Sequence, residues 1–540
     1  ELINVANSDP AIGIVGPRFV YPDGRLQEAG GIIFQDASGW NYGRLDEPGK
    51  PEYSFIRDVD YISGACLLVK RELWDKSGGF DRCFAPAYYE DTDLCFSARQ
   101  FGYRVVYTPF STVVHFEGVS HGTDESSGIK KQQVVNQKVF RQKWANLLDK
   151  EQYESSKQLF AACHHGKPRG TVLVIDHYVP MHDQDAGSRS TRQYLELLVK
   201  ENVRVIFLGD NFYPHQPYTE ELQRLGIEVL YGEYYKRHWQ DWLQKNIQWI
   251  DCIYSHRPHI TSKYLDVLTA LDPRPRLVYF GHDLHYLRCQ READIYPDKH
   301  KQLLSEASNW KEKEFSIMKK VDLSLFPAEY EVEEVLKEDP TLNIASIPLM
   351  MFTGVGKSIP TGHSHTAPEL LFVGSFGHPP NLDGLKWFMA EVWPLVTASR
   401  EDSRLTIIGS KCPDEVKKLN SDNVRVLGEV DDGTLEKAYA QTRVAIVPLR
   451  FGAGIKGKVL EAMSKGVAVC TTAVGVEGLP ERDGYISIAN DAQEFSRKIL
   501  VLLNDNDALT RQVSLASVML GEEFSYEKAA STILPYLGLK

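Results

Sequence analysis

The sequence lacks the long apolar runs and the cysteine spacing that would place it in a membrane or outside the cell. No stretch approaches the ~18 consecutive apolar residues that a transmembrane helix needs, and no basic-then-apolar signal peptide opens the chain. The eight cysteines show no C-x-x-C spacing, which indicates reduced core residues and neither disulfides nor zinc ligands. We therefore expect a cytoplasmic protein whose membrane contact, if it has one, is peripheral and at the inner face.

Concentrated positive charge is also missing. The chain has 61 basic against 73 acidic residues, a net charge of −12, and the basic residues are spread along its length. Binding to a phosphate backbone normally needs a basic face, so nucleic acid is not an expected partner. The composition is otherwise that of a globular protein, and a chain of 540 residues is expected to form about three or four domains.

The most informative segment runs from Val444 to Gly466 and contains a predicted buried strand, a glycine-rich loop and the start of a helix. The loop glycines let backbone N–H groups approach a ligand. Lys456 and Lys458 stand where the helix begins, and both the lysines and the helix N-terminus favour an anion. Glu461 follows about one turn later, where it can accept hydrogen bonds from ribose hydroxyls. The spacing is neither a Walker loop nor G-x-G-x-x-G, and it predicts a nucleoside diphosphate site.

Short apolar runs alternate with helical patterns along two stretches of the chain. This alternation predicts an α/β protein with two doubly wound, Rossmann-like domains in tandem. Ligands of such sheets bind at the carboxyl ends of the strands. Residues 352–368, rich in Gly, Thr, Ser and His, are interpreted as the linker. The predicted strands are 171–175, 203–208, 227–231, 250–254, 276–280, 321–326 and 343–349, then 369–373, 404–408, 424–427, 444–447, 467–470 and 485–488.

From about residue 170 to 540 the chain resembles the family-four glycosyltransferases of GT-B fold. The segment around Val444–Gly466 is similar to the family's donor-sugar site. The run Leu370-Leu-Phe-Val-Gly-Ser-Phe-Gly-His-Pro-Pro-Asn381 resembles the opening of its C-terminal domain, which implies that Gly374 and Ser375 approach the donor phosphate. Asp185-Ala-Gly-Ser-Arg189 matches a place where the family binds an acceptor or donor phosphate, which adds Gly187 and Ser188.

A further part of the resemblance lies in Val278-Tyr-Phe-Gly-His-Asp-Leu-His-Tyr-Leu-Arg288. Similar enzymes carry a histidine at this strand end, close to the transferred sugar, which implies catalytic positions for His282 and Asp283. His285 and Arg288 follow on the next helix and are expected on the acceptor side. Each of these could instead be an ordinary structural residue, but several titratable groups just past a buried strand are typical of a cleft.

The family's E-x₇-E pattern is only half present, because Glu461 matches the second Glu and Ala453 stands in place of the first. Nucleotide binding remains expected, whereas the grip on the sugar hydroxyls is in doubt. The resemblance implies retention of anomeric configuration and no metal cofactor for this module. A nucleotide-sugar epimerase of the same fold, or a non-catalytic scaffold of degenerate transferase domains, are the alternatives.

Residues 1–118 resemble the acceptor half of family-two, GT-A transferases, notably rhamnosyltransferase-like ones. Three motifs carry the likeness, and they are Ile62-Ser-Gly-Ala-Cys-Leu-Leu-Val-Lys, Gly78-Gly-Phe-Asp and Tyr88-Tyr-Glu-Asp-Thr-Asp. The resemblance implies that Asp91, with Glu90 beside it, is the catalytic base for an inverting transfer. It also implies that His115 helps to hold Mg²⁺ or Mn²⁺ in a complete GT-A domain. The acidic pair could instead serve only the helix dipole.

The donor half of such a GT-A domain, with its Asp-x-Asp metal motif, would precede the Pro10–Pro17 strand. We therefore expect this chain to be the C-terminal part of a longer protein and to lack GT-A transfer by itself. Asp58-Val-Asp60 is interpreted as a decoy because it adjoins the acceptor side. The predicted domains are the GT-A half (1–118), a helical connector (119–169), the GT-B acceptor domain (170–352) and the GT-B donor domain (353–540).

The expected function is sugar transfer from a nucleotide sugar to a growing cell-surface polysaccharide, such as capsule or O-antigen, or to a glycolipid. The expected partners are the nucleotide-sugar donor and a glycan or lipid-linked glycan acceptor. The rhamnosyltransferase-like motifs favour a hexosyl, rhamnosyl or mannosyl donor. Base, sugar and linkage depend on loop shapes that the sequence does not reveal.

Overall fold

A computed structural model describes residues 1–116, 131–353, 367–452 and 454–539. The chain forms two compact units whose limits do not coincide with the four predicted domains, and the predicted limits stay predictions. No helix in the described ranges combines the length and the apolar character needed to cross a bilayer. The first unit holds Glu1–Val179, Leu198–Ile253 and Leu271–Pro275, and the second holds Pro180–Leu197, Tyr254–Ala270 and Arg276–Lys540.

The first unit begins with a mixed sheet flanked by helices. Its elements are α1 (Leu2–Ser8), β1 (Ile12–Val20), β2 (Leu26–Glu28), β3 (Gly31–Ile33), β4 (Gly39–Asn41), β5 (Arg57–Asp58), β6 (Leu68–Val69), α2 (Arg71–Ser77), α3 (Glu90–Gln100) and β7 (Arg104–Val114). The two long strands β1 and β7 are parallel, whereas β2 and β6 are antiparallel to β1 and β5 is antiparallel to β7. The helix α3, which starts at Glu90, packs on this sheet. Leu94 of the helix lies in one buried cluster with Ile14 of β1 and Tyr107 of β7.

The predicted connector is helical, as α4 (Lys131–Lys143), α5 (Ala145–Glu151) and α6 (Leu159–Ala162). Phe140 and Trp144 are buried against Phe84 and Phe96 of the preceding sheet domain, so α4 packs on that domain. Val134 and Val135 of α4 are 48% and 46% exposed. These two residues lie on the α4 face opposite the aromatic cluster. Residues 119–130 of the predicted connector lie outside the described ranges.

Parallel strands then follow in the order predicted. The elements are β8 (Thr171–Asp176), α7 (Ala186–Lys200), β9 (Arg204–Gly209), α8 (Tyr218–Arg224), β10 (Glu228–Leu230), α9 (Glu233–Asn246) and β11 (Cys252–His256). Within the first unit β8, β9 and β10 are parallel neighbours, with Leu173 beside Ile206 and Phe207 beside Val229. The predicted strand 227–231 is shorter in the structure, because only three residues reach the neighbouring strand.

The N-terminal block packs directly on these strands within the first unit. The Arg204 guanidinium pairs with the Glu228 carboxylate at 3.2 Å, and both side chains are almost fully buried. The Tyr235 hydroxyl donates to Glu52 at 2.8 Å. The ion pair joins β9 to β10, and the Tyr235–Glu52 hydrogen bond joins α9 to the N-terminal block, so the block contacts this part of the first unit.

The second unit contains the remaining strands and helices. They are α10 (Pro258–Thr269), β12 (Arg276–Phe280), α11 (His285–Ile295), α12 (His300–Met318), β13 (Leu323–Phe326), α13 (Glu329–Glu338), β14 (Ile344–Ser346), β15 (Glu369–Val373), α14 (Pro379–Trp387), a π-helical segment (Phe388–Val392), α15 (Trp393–Ser399), β16 (Arg404–Ile408), α16 (Asp414–Lys417), β17 (Val424–Gly428), α17 (Asp432–Gln441), β18 (Val444–Val447), α18 (Gly457–Ser464), β19 (Ala468–Thr471), β20 (Ser487–Ile488), α19 (Ala492–Asn504), α20 (Asn506–Glu523) and α21 (Tyr526–Tyr536). Within this unit β12, β13 and β14 are parallel neighbours.

The second sheet of this unit is fully parallel and has the order β17-β16-β15-β18-β19-β20. Its apolar strands are covered on both faces, by one cluster around Val459, Met463 and Met519 and another around Phe388 and Phe495. Strands β16 and β17 are added on one side of β15, and β18, β19 and β20 are added on its other side. The strand order therefore reverses between β15 and β18. In open α/β sheets a ligand binds at this reversal, outside the carboxyl ends of the strands.

Candidate functional site

The glycine-rich loop lies at the carboxyl end of β18, beside that reversal. Gly454 has a φ of 72°, which a residue without a side chain adopts at little cost. Its backbone N–H donates to the Tyr330 hydroxyl at 2.7 Å. Lys456 is the N-cap residue of α18, and its Nζ donates to the Gly454 carbonyl. The loop is therefore held by its own lysine and by α13.

Two buried lysines give this loop its charge. Lys456 is 9% exposed, and burial lowers its pKa to about 8 although Glu477 lies 3.8 Å away. Burial, and then the neighbouring Lys456, lowers the pKa of Lys458 to about 7. The Lys458 Nζ donates to Asn381 Oδ1. Two amines that share a poorly solvated place disfavour their own protonation and favour an incoming anion.

The structure brings the predicted Gly374 and Ser375 to the same place. A Cβ added at Gly374 would lie 2.9 Å from Lys458 Nζ and from Asn381, so a side chain here would displace one or both of them. Ser375 Oγ accepts from Ser410 Oγ at 2.9 Å, and its carbonyl accepts from Asn381 Nδ2 at 2.7 Å. The loop after β15 and the loop after β18 thus meet at Lys458.

Glu461 lies on α18 and forms an ion pair that sequence reasoning did not foresee. Its Oε1 lies 2.8 Å from Nη1 of Arg189, on the first turn of α7. Ser188 is held at that helix start by Asp185, which accepts from its N–H and its hydroxyl at 2.7 Å each. A Cβ added at Gly187 would lie 2.8 Å from the nearest guanidinium nitrogen of Arg257, so a side chain here would displace that guanidinium. The predicted residues of α7 and α18 therefore meet.

The strand end after β12 places the predicted His282 and Asp283. His282 has a φ of 66°, and its Nε2 lies 3.1 Å from Nδ1 of His256. The Asp283 carboxylate pairs with Arg288 at 2.5 Å and lies 3.2 Å from Nδ1 of His285. A Cβ added at Gly454 would lie 3.6 Å from the Asp283 Cβ, so this turn adjoins the glycine-rich loop. His285 and Arg288 thus contact Asp283 directly.

Four further residues belong to this arrangement although the sequence did not single them out. The Arg291 guanidinium donates to the Gly452 carbonyl at 3.1 Å and pairs with Glu477 at 2.6 Å. It also lies over the Tyr330 ring. Burial, together with Lys458, lowers the pKa of His378 to about 4, and Arg288 and Asp283 act on the same ring. Spacing offered one signal, since Arg291 follows Arg288 by three residues and so shares its helix face.

The N-terminal block carries the second predicted site. Asp91 Oδ2 accepts from the Gly64 N–H at 2.7 Å, and its Oδ1 accepts from the Thr92 N–H at 2.6 Å. Burial raises the pKa of Asp91. Burial and the neighbouring Asp91 also raise the pKa of Glu90, whose Oε2 has no hydrogen-bond partner in the described ranges. A carboxylate with a raised pKa is a stronger proton acceptor, which suits a base.

Other polar residues of this block have structural contacts. His115 Nδ1 lies 3.2 Å from Gln27 Oε1, and its ring packs edge-on against Phe19. Asp58 pairs with Arg104 at 2.8 Å. Asp60 accepts from the Ile33 N–H at 2.8 Å and lies 2.6 Å from His165 Nδ1. These contacts give both aspartates a role in holding the sheet, in agreement with their interpretation as a decoy.

Comparisons with known proteins were made with this geometry in hand. Residues 367–505 match the family described as Glycosyl transferases group 1. An N-acetylglucosaminyl-diphospho-decaprenol L-rhamnosyltransferase of Mycobacterium tuberculosis is 31% identical over 140 residues, which are 23% of this chain and 44% of that protein. A 44.6 kDa protein of the Klebsiella pneumoniae cps region is 30% identical over 173 residues, which are 31% of this chain and 45% of that protein.

Among solved structures, sucrose-phosphate synthase of Thermosynechococcus elongatus superposes with a TM-score of 0.51 at 16% identity, covering 68% of this chain and 98% of that one. These findings confirm the predicted α/β GT-B fold, and they confirm a group 1 glycosyltransferase domain for residues 367–505. The chain spans less than half the length of these curated relatives. The roles of the individual site residues remain predictions, and Ala453 lies outside the described ranges.

Proposed function

We propose that the site in the second unit transfers a sugar from a nucleoside-diphosphate sugar to a growing cell-surface polysaccharide or glycolipid. The observation that carries the proposal is the meeting of Gly374, Ser375 and two buried lysines where the strand order of a parallel sheet reverses. That place in the fold suits a nucleotide, and that charge suits its diphosphate.

Each group has a stated part in holding the donor. The backbone N–H groups at the start of α18 and those near Gly374 approach the diphosphate, and Lys456 and Lys458 neutralise it. Glu461 would accept hydrogen bonds from the ribose hydroxyls, with Arg189 fixing one of its oxygens. Asp185 holds Ser188 in place, and Gly187 and Ser188 are proposed to contact a donor or acceptor phosphate.

The transfer is proposed to retain anomeric configuration, as the resemblance to family-four enzymes implies. In the same-face route the leaving diphosphate takes the acceptor proton, so the protein need not supply a base. Its contribution is electrostatic, because lysines already in place where charge develops stabilise the transition state without reorganisation. His282 and Asp283, at the turn beside Gly454, are proposed to orient the sugar and the acceptor. The two lysines are proposed to make a divalent metal unnecessary for this module.

The substrate class is inferred from the relatives. One of them is a rhamnosyltransferase acting on a diphospho-decaprenol-linked sugar, another is encoded in a cps region, and a third is an O-antigen biosynthesis protein of Myxococcus xanthus. We infer a hexosyl donor, rhamnosyl or mannosyl among them, and a glycan or lipid-linked glycan acceptor. Such acceptors are reached by a cytoplasmic protein that binds the inner face of the membrane peripherally.

The N-terminal block is proposed to be the acceptor-side half of an inverting GT-A transferase. Asp91 would deprotonate the acceptor hydroxyl, with Glu90 beside it. A complete domain would add Mg²⁺ or Mn²⁺, which His115 would help to hold. The raised pKa of the Asp91 carboxyl supports the role of base.

A thermal-shift panel of UDP-, dTDP- and GDP-sugars tests the donor site, since a ligand that binds the folded state raises its apparent stability. The best binder is then used in a transfer assay. We expect Lys456→Ala and Glu461→Ala to fold normally and to lower turnover, by about 10² to 10³-fold for the lysine. Lys465→Ala is the matched control, because Lys465 ends the same helix and pairs with Glu436 on the surface.

Three outcomes would contradict the proposal. Wild-type turnover in both site variants would refute the site, and loss of activity in EDTA with recovery in manganese would refute the metal-independent mechanism. Turnover of the nucleotide sugar without any acceptor would indicate an epimerase.

A further inference from the structure

The turn that carries His282 and Asp283 has side-chain contacts to Asp283 from the following helix, but no side chain at its N-cap position accepts the first helical N–H groups. His282 is in the left-handed region, with a φ of 66°, and a residue with a side chain adopts that conformation at a cost. Helix α11 begins three residues later with Leu284 at the N-cap, and no side chain of that residue caps the helix. The first N–H groups of a helix need partners from elsewhere.

Two carboxylates from other helices supply those partners. Glu331, in the first turn of α13, accepts the Leu284 N–H at 3.0 Å. Glu314, in α12, accepts the His285 N–H at 2.9 Å through Oε1 and the Tyr286 N–H at 3.3 Å through Oε2. Both carboxylates are fully buried, at 0% exposure. They therefore replace the missing N-cap from positions distant in sequence.

These carboxylates are unusual in having little countercharge. In the part of the chain that the structure describes, neither lies within ion-pair distance of a lysine or an arginine. His285 Nδ1 lies 3.3 Å from Glu314, and Lys456 acts on Glu331 only at longer range. Glu331 Oε2 has no hydrogen-bond partner among the described residues. Burial, and then the nearby Asp283, raises the pKa of Glu331 to about 8. Burying carboxyl groups is costly, which indicates that these positions serve the turn that they contact.

Tyr330, the residue before Glu331, holds the glycine-rich donor loop in a similar way. Tyr330 accepts the Gly454 N–H at 2.7 Å through its hydroxyl. Adjacent residues at the start of α13 thus hold the glycine-rich loop and the His282–Asp283 turn. A shift of α13 would move both loops together.

We propose that Glu314 and Glu331 are positioning residues for sugar transfer: they fix the backbone of residues 284–286 and thereby set the His282–Asp283 turn against the donor loop that Tyr330 holds. The inference rests on the proposed function of this site. It assigns neither carboxylate a contact with substrate. A displacement of about 1 Å at a reacting group can cost on the order of 10²-fold in rate, so positioning of this kind has a measurable effect.

The test compares alanine and glutamine variants in the full chain. Glu331 uses one oxygen as an acceptor, so Glu331→Gln keeps the contact and is expected to behave as wild type. Glu314 uses both oxygens, so Glu314→Gln keeps one contact and is expected to be intermediate between wild type and Glu314→Ala. Glu333→Gln is the control, since Glu333 lies on the exposed face of α13.

Three quantities are measured on each variant: amide hydrogen exchange, kcat and the donor Kd. Hydrogen exchange of the amides of residues 284–286, measured without any donor, is expected to accelerate roughly tenfold or more in both alanine variants. In the transfer assay kcat is expected to fall about tenfold or more, while the donor Kd, measured with UDP alone, stays within about twofold. If an alanine variant does not fold, Glu314→Gln, which keeps only one of the two contacts of Glu314, provides the same readouts.

The outcomes separate this inference from the proposed function. Unchanged amide exchange in the alanine variants, or Glu331→Gln as impaired as Glu331→Ala, would overturn it. A change in donor Kd as large as that in kcat would also overturn it, because a general loss of structure would then explain the data. If the wild-type chain transfers no sugar, the proposed function fails, whereas amide exchange still decides whether the carboxylates hold the turn.

Discussion

At each of the two candidate sites, residues in the left-handed conformation precede the start of a helix, and the two sites differ in the side chains that hydrogen-bond to this turn. In the N-terminal block Tyr88 and Tyr89 have φ values of 74° and 72°, and α3 begins at once with Glu90. In the second unit His282 has a φ of 66°, and α11 begins three residues later. Left-handed residues with side chains cost free energy. Each site therefore needs a partner outside its own turn.

One partner of the turn in the N-terminal block is a neutral amide. Asn136 of the connector helix α4 is buried, and its Nδ2 donates to the carbonyls of Phe84, Ala87 and Tyr88 at 2.8 to 2.9 Å. In the second unit the backbone groups that the turn itself leaves unpaired are the N–H groups of residues 284–286, and the carboxylates of Glu331 and Glu314 accept hydrogen bonds from them. The chemistry of the partner follows from which backbone groups each turn leaves unpaired.

The charge at the two sites also has opposite sense. Burial raises the pKa of Asp91, which suits a group that takes a proton. Burial lowers the pKa of Lys458, which suits a group that gains charge stabilisation when an anion arrives. The same physical cause therefore prepares one site as a base and the other as an anion receptor.

The largest expected effect separates the two sites. Lys458→Ala should lower donor-dependent turnover by about 10² to 10³-fold, because the amine neutralises the leaving diphosphate. Asp91→Asn, in the other unit, should leave the same transfer within about twofold of wild type. Steady-state kinetics on both variants checks this. A large loss in Asp91→Asn would mean that the two sites act in one reaction.

An intermediate effect tests the neutral partner. Asn136→Ala should lower the free energy of unfolding by about 1 to 3 kcal/mol, because buried carbonyl groups lose their donor. Urea denaturation monitored by tryptophan fluorescence measures this, since Trp144 is buried next to the same cluster. Lys138→Ala, on the exposed face of α4, should change stability by less than about 0.5 kcal/mol. Equal stability of Asn136→Ala and wild type would show that the Tyr88–Tyr89 turn does not depend on the hydrogen bonds of Asn136.

The smallest effect concerns pH. The pKa of Lys458 is lowered to about 7, and only the protonated amine attracts the diphosphate. Affinity for UDP should therefore be highest below pH 7 and should fall by up to about tenfold per pH unit as pH rises through 7 to 8. Calorimetric titration with UDP across this range measures the slope. Lys458→Met should bind more weakly and show a smaller slope, with what remains arising from Lys456, whose pKa is about 8. A steep slope in Lys458→Met would assign the titration to another group.

Sequence reasoning located the strands well where the apolar period was sharp. The predicted strands 276–280, 369–373, 404–408 and 444–447 coincide with β12, β15, β16 and β18. It did not determine the exposure of Val134 and Val135, because an apolar residue on a helix does not reveal which face the neighbouring domain covers. It also described Glu461 only as a ribose ligand, since its partner Arg189 is 272 residues away in the chain.

The amino-acid sequence by itself determined the alternation of strands and helices, the glycine-rich loop and the placing of lysines at a helix start, because these depend on spacing between near neighbours. Tertiary structure decided which distant groups complete each site. Glu314 and Glu331 cap α11 from two other helices, and Asn136 holds the Tyr88–Tyr89 turn from the connector. Local spacing fixes backbone conformation, whereas the partner of an unpaired backbone group is any group that folding brings within hydrogen-bond distance.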